Sequence, residues 1–254
     1  YAITVYIAGM VIRRFPDILF VMGFVMYLLM FLVVLRLPKD SGTGKTALRR
    51  DKRKKKPAFG RIFQTKEAYF VLAFAFVYQL GMSFASSFLS AYIAKLGYSQ
   101  SAMGLASSIS ALSEIPILIF IDKLVDRFGI MKMLAFSSVM TGVRILCVSS
   151  GVLPVIMLSQ MLQSVTYMTT YFCCVTYISR NVIEGKQAQG QSVLAKLQTG
   201  VAGIMGYLGG GYILNQIGYQ KTYFLFGIAI FILGAVNYAA YLIYNEAKRC
   251  PQSL

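Results

Sequence analysis

Residues 100–132 read QSAMGLASSISALSEIPILIFIDKLVDRFGIMK. Up to Ile121 the only charged residue is Glu114; then Asp122, Lys123, Asp126, Arg127 and Lys132 crowd together before the next apolar run begins. About 20 apolar residues cross the ~30 Å hydrocarbon core of a bilayer as a helix. The stretch therefore predicts a membrane span over about 100–121 and a short polar connection over 122–130. Working outward, the same alternation recurs, with spans expected at about 17–37, 68–92, 131–149, 153–176, 196–214 and 222–244. Tyr1 to Ile12 reads as the end of one more helix. The fold class expected is an all-α polytopic membrane protein.

Composition agrees. The chain is 57% hydrophobic and 13% charged, with a mean hydropathy of +0.64. A soluble domain of this size could not cover so much apolar surface. The net charge of +16 at first suggests nucleic acid, but eleven of the 25 Lys and Arg residues lie between Lys39 and Lys66. Most of the others stand singly between apolar runs, which is the pattern of basic loops and bare spans, so no nucleic-acid partner is expected. Cys147, Cys173, Cys174 and Cys250 have no C-x-x-C spacing, and histidine is absent. No metal, cofactor or disulfide framework is implied, and an intramembrane enzyme is disfavoured for want of histidine, paired aspartates or a nucleophile elbow. The chain opens on Tyr1 rather than methionine, and the expectation is that it begins inside a longer product.

Three regions follow: 1–37 as the end of one helical bundle, 38–66 as a basic linker, and 67–254 as a complete six-helix bundle with a short tail. The linker is polar, basic and contains Pro38 and Pro57. The positive-inside rule places it in the cytoplasm of a cell-membrane protein, with 122–130, 177–195 and the tail on the same side and 93–99, 150–152 and 215–221 outside. Two motifs in the linker are decoys. SGTGKT at 41–46 resembles the end of a phosphate-binding loop, but Lys39 stands where glycine is needed and no buried strand precedes it. RRDKRKKK at 49–56 marks the cytoplasmic side and suits contact with anionic lipid. Residues 9–38 and 211–240 share an order of glycine, apolar turn, polar pair and aromatic-rich span. Such repeated bundles are how many secondary transporters are built.

Polar residues inside the spans carry the functional signal, because a polar group facing lipid is costly. Gln79, Ser83, Ser86 or Ser87, and Ser90 form one helical stripe; Ser107, Ser110 and Glu114 a second; Ser137, Thr141 and Arg144 a third; Gln160, Gln163, Tyr167 and Tyr171 a fourth. The serines by themselves suit close helix packing. The glutamines point to a shared hydrated cavity, expected to be lined by Gln79, Ser83, Ser110, Gln160, Gln163, Tyr167 and Asn237. Glu114 and Arg144 are the ionisable residues well inside spans, and a carboxylate there can load and release a proton during a cycle. At ~1.5 Å per residue their backbones differ by roughly 10 Å in depth, near the limit of a direct pair. The glycines at 200, 203, 206, 209, 210 and 211 suit close helix contact.

Asp122-Lys-Leu-Val-Asp126-Arg127-Phe-Gly129, followed by Lys132, resembles the G-x-x-x-D-R-x-G-R-R loop motif of the major facilitator superfamily. Asp122 stands at the first glycine and a single lysine at the final basic pair. With Ser113-Glu114-Ile115-Pro116 in the preceding helix, the chain is similar to the branch of lactose-permease-like and phenylpropionate-type permeases, from the end of helix 5 through helix 12. The resemblance implies proton-coupled uptake of a small solute by alternating access between two six-helix bundles, the first of which lies largely outside this chain. It also implies that Glu114 and Arg144, which fall on the eighth and ninth helices, serve substrate and proton. Asp122, Asp126, Arg127 and Gly129 would form the cytoplasmic gate. The tenth helix of lactose permease carries His and Glu where this sequence has Gln and Tyr. Two alternatives stay open: an exporter of the same fold, and a membrane sensor or assembly protein that transports nothing.

Overall fold

The computed structural model describes residues 18–36 and 62–249. The linker with its 41–46 and 49–56 motifs, the 1–17 segment that begins the repeat, and the tail from Cys250 lie outside the described residues. Two compact units are present. In the first along the chain, the described element is helix α1, Ile18–Arg36, 19 residues without an acidic residue in its first turn and with Arg36 in its last.

In the second unit the described helices run in six successive rods. They are α2 (Glu67–Lys95), α3 (Gln100–Phe128), α4 (Ile130–Ser149), then α5 (Leu153–Gln160) continued through a π-helical turn Ser164–Met168 into α6 (Thr169–Asn181). Next comes α7 (Gln187–Ala195), continued through a second π segment Lys196–Ala202 into α8 (Gly203–Ile217), and last α9 (Tyr219–Arg249). Four of the helices are long and apolar enough to cross a membrane unaided by a neighbouring segment. The architecture is that of an all-α, multi-pass membrane protein.

Every turn between spans contains a glycine at positive φ: Gly97, Gly129, Gly151, Gly185 and Gly218. Gly129 shows why. Helix α3 ends at Phe128 and α4 begins at Ile130, so one residue must both stop a helix and start the next. It does so at φ 82° and ψ 150°, a conformation that glycine adopts without the penalty of a Cβ. The turns define two ends of the bundle, one carrying Gly97, Gly151 and Gly218, the other Gly129 and Gly185.

The structure changes two expectations of span length. The 122–130 connection is not a loop: Asp122, Asp126 and Arg127 ride on the last turns of α3, and Gly129 alone reverses the chain. A 29-residue helix is about 43 Å long, longer than the ~30 Å core, so its polar end stays helical beyond the hydrocarbon. Likewise α6 and α7 leave only 182–186 between them rather than 177–195. Backbone hydrogen bonding continues α6 through polar residues as far as Asn181, after which Val182 turns extended and pairs with Phe63.

Two apolar clusters fill the bundle. Val71, Phe74, Leu134, Cys174 and Ile178 centre the one toward the Gly129 end, and Phe84, Tyr92, Ile145, Tyr223 and Ile230 the one toward the Gly97 end. Glycines let the backbones approach. A Cβ on Gly227 of α9 would lie 2.6 Å from Leu146 Cγ of α4, and one on Gly206 of α8 would lie 2.6 Å from the Leu80 carbonyl of α2. Outward faces stay apolar, as at Leu112, Ile115, Ile119 and Phe120 of α3, which suits hydrocarbon solvent.

At the Gly129 end the approach to α2 is fastened down. Gln64 N donates to Asn181 O (3.0 Å) and Ile183 N to Ile62 O (3.1 Å), an antiparallel bridge centred on Phe63 and Val182. Gln64 Nε2 donates to Val182 O at 3.1 Å, the Thr65 and Tyr177 hydroxyls meet at 3.0 Å, and Lys248 pairs with Glu67 at 2.9 Å.

Candidate functional site

Helices α2, α3, α4, α5 and the first π turn surround a cavity of about 490 Å³. That size suits a small organic molecule. Each wall is one helical face. Helix α2 contributes Tyr78, Gln79, Met82, Ala85, Ser86 and Leu89; α3 contributes Met103, Ser107, Ser110 and Glu114 among others. Helix α4 contributes Arg144, Ile145 and Val148, and the interrupted span contributes Gln160, Gln163 and Tyr167.

Arg144 organises the polar side. Its side chain is 7% exposed. Nη2 donates to Gln160 Oε1 at 2.7 Å, while Nη1 donates to Gln163 Oε1 and, at 3.4 Å, to the Thr166 hydroxyl. Gln160 is itself oriented by donating from Nε2 to Ile156 O (3.2 Å), and Thr166 by donating to Leu162 O (2.9 Å). The glutamines can converge because the helix is not regular here. Met161 N and Leu162 N bond three residues back, to Leu158 O and Ser159 O, and the π turn follows at once. Across the interface Ser137 of α4 donates to the Thr166 carbonyl at 2.8 Å and meets the Thr170 hydroxyl at 2.6 Å, binding α4 to the π turn. Such turns recur at functional sites, where they re-aim side chains.

Glu114 lines the same cavity from α3, and among the described residues it takes part in neither an ion pair nor a hydrogen bond. Pro116 lies two residues on inside the unbroken helix and, lacking an N–H, leaves the Leu112 carbonyl without its helical donor.

Of the residues expected at the site, Gln79, Ser110, Glu114, Arg144, Gln160, Gln163 and Tyr167 are brought around this one cavity. Ser83 and Asn237 are not. Ser83 accepts from Gln79 Nε2 at 3.0 Å and packs toward Gly206 of α8, and Asn237 of α9 donates to Phe70 O of α2 at 3.2 Å. Their polarity serves helix contact. Thr141 bonds back to Ser137 O at 2.8 Å and Ser86 to Met82 O at 2.6 Å, as serines and threonines in spans commonly do. Tyr78, Met82 and Leu89 were missed by a search for polar stripes; their signal was angular, since 78, 82, 85 and 89 share a helix face with Gln79 and Ser86. Asp122, Asp126 and Arg127 are exposed at the Gly129 end, far along α3 from the cavity, and form no ion pair among the described residues. Among the described residues no cluster of His, Cys, Asp and Glu could hold a metal ion.

A family model described as the MFS_1 like family matches residues 1–226. The chain belongs to that family. This MFS_1-like chain is also similar to a Bacillus subtilis (strain 168) protein called "Uncharacterized transporter YwbF", with 21% identity over 231 residues. The match covers 90% of this chain and 56% of the relative, so the MFS_1-like chain spans little more than half of that protein's length. Family and fold agree on a multi-pass helical membrane protein, and the cavity gives that fold a polar centre lined by one carboxyl and one guanidinium side chain.

Proposed function

We propose that this chain supplies the second six-helix bundle of a secondary transporter that moves a small organic solute across the cell membrane by alternating access, as a proton symporter. The observation that carries the reading is the cavity itself, where a glutamate that forms no ion pair among the described residues and an arginine hydrogen-bonded by neutral groups line one space within a bundle of membrane spans. A scaffold or sensor has no need of a carboxyl and a guanidinium facing one cavity inside the spans, where ionisable residues characteristically mark substrate and ion paths. An enzyme would need a nucleophile or a base beside a reacting centre, and the lining side chains do not make one.

In the mechanism, Arg144 is held ready by Gln160, Gln163 and Thr166, so solute meets a preset guanidinium and little ordering entropy is lost on binding. Glu114, which forms no ion pair among the described residues, changes protonation as the cavity turns from one side of the membrane to the other. Asp122, Asp126 and Arg127 close the cytoplasmic side against the other bundle, and the basic linker lies on anionic lipid there. The family relative bears the word transporter in its name, which supports the same class of activity.

Glu114→Gln tests the coupling in the full-length protein reconstituted into liposomes. Accumulation driven by a pH gradient should be lost while exchange of solute at equal concentrations continues. Unchanged uphill transport would remove Glu114 from the coupling scheme. Outward rather than inward pumping would favour the exporter instead.

A further inference from the structure

At the Gly129 end, apart from the central cavity, a second pocket of about 510 Å³ lies between the approach to α2 and the end of α9. It is lined by Gln64, Thr65, Lys66, Tyr244, Ala247 and Lys248, so it holds two ammonium groups and no carboxylate. Lys248 donates one of its three N–H groups to Glu67 at 2.9 Å, which leaves two. Lys66 forms no ion pair among the described residues. With one of the two cations balanced by Glu67, a single positive charge is left over, and that matches one phosphodiester anion. The walls are held before anything binds. Gln64 Nε2 donates to Val182 O at 3.1 Å, the Thr65 hydroxyl meets that of Tyr177 at 3.0 Å, and Tyr244 packs on Phe70 with ring centroids 5.5 Å apart.

The depth of the pocket decides what brings that anion. Helix α9 has 31 residues and is about 46 Å long, against a ~30 Å hydrocarbon core, so its last turns stand at the level of lipid headgroups. Tyr238, Tyr241 and Tyr244 lie on those turns, as tyrosines do at a membrane interface. From the pocket toward the Gly97 end, Ala247, Ile243, Ala240 and Val236 succeed one another at spacings of four, three and four residues. All four are exposed, and that spacing puts them in one apolar stripe along α9. A soluble phosphate would use the ammonium groups and leave the stripe bare. A phospholipid uses both.

We infer that this pocket is a binding site for the headgroup of an anionic phospholipid, its phosphate between Lys66 and Lys248 and its chains along Ile243, Ala240 and Val236. The site depends on the membrane fold alone and not on transport. It differs from the attraction of the 49–56 run for anionic lipid, which needs no shaped pocket. One lipid phosphate there bridges α2 and α9 beside the place where Glu67 already meets Lys248.

The test uses full-length protein, purified and freed of lipid in detergent. Its melting midpoint is followed as dioleoyl phosphatidylglycerol, dioleoyl phosphatidylcholine or inorganic phosphate is added. Phosphatidylglycerol should raise the midpoint, and the other two should not. Lys66→Gln should leave the lipid-free midpoint unchanged and weaken phosphatidylglycerol binding about fivefold, the scale of one lysine contact near an anionic surface. Lys123→Gln removes the same charge from the same end, on α3 outside the pocket, and should leave the response intact. Ala247→Phe fills the pocket at constant charge and should also weaken the response, which attraction to a diffuse surface charge would not show. Equal responses to phosphatidylcholine and phosphatidylglycerol, equal losses in Lys66→Gln and Lys123→Gln, or no response to either lipid overturns the inference. A rise produced by inorganic phosphate alone assigns the pocket to a soluble anion and overturns the lipid.

Discussion

At the scale of single residues, the balance around Arg144 makes a stability prediction separate from transport. Gln160 supplies the only acceptor for Nη2 among the described residues. Gln160→Leu leaves that N–H unmet and removes a polar wall residue, at a cost of about 1–3 kcal/mol. The melting midpoint of the purified protein should fall accordingly, and an unchanged midpoint would mean that water in the cavity takes over the bond. Residue chemistry was also the part of the site most legible in the sequence. Glu114, Arg144, Gln160 and Gln163 announce themselves because such side chains are expensive in lipid. Tyr78, Met82 and Leu89 do not, because an apolar or aromatic residue in a span is unremarkable until its helix face is known. Ser83 and Asn237 mislead for the opposite reason, since their polar atoms are spent on helix contacts at Gln79 and Phe70.

At the scale of elements, the glycine-rich face of α8 divides into positions that matter and positions that do not. A Cβ at Gly206 would press on the backbone carbonyl of Leu80, 2.6 Å away, whereas one at Gly209 would meet nothing within 4 Å. Gly206→Ala should therefore destabilise by about 1–3 kcal/mol, while Gly209→Ala should be neutral or stabilising by up to about 1 kcal/mol. Thermal melting of the two variants side by side checks the difference, and equal effects would refute the α2–α8 contact. The near three-residue spacing of these glycines could be read from sequence, but not which of them touch a neighbour. Hydropathy marks apolar stretches and falls short of the helix ends, because it reports where lipid stops. The Asp122–Arg127 turns and the polar helix Gln187–Ala195 continue past that point. The π turn at Ser164–Met168 had no sequence mark, since none of its residues breaks a helix and it depends on Ser137 and Arg144 from α4.

At the scale of the whole molecule, the orientation in the membrane decides which end of the cavity opens to which compartment. A cysteine at Ser41, in a background without the four native cysteines, should react with an impermeant thiol probe only from the cytoplasmic side; labelling from outside would invert the topology. The fastening at the Gly129 end adds a mechanical consequence. Because Ile62–Gln64 are stitched to Asn181–Ile183, and Glu67 is tied to Lys248, a pull arriving along the chain at residue 62 is not delivered to α2 alone. It is shared with the far end of the very span whose other part carries Gln160, Gln163 and the π turn. Residues 62–67 thus join α2, α6 and α9 at this end, and a displacement there is shared by all three helices.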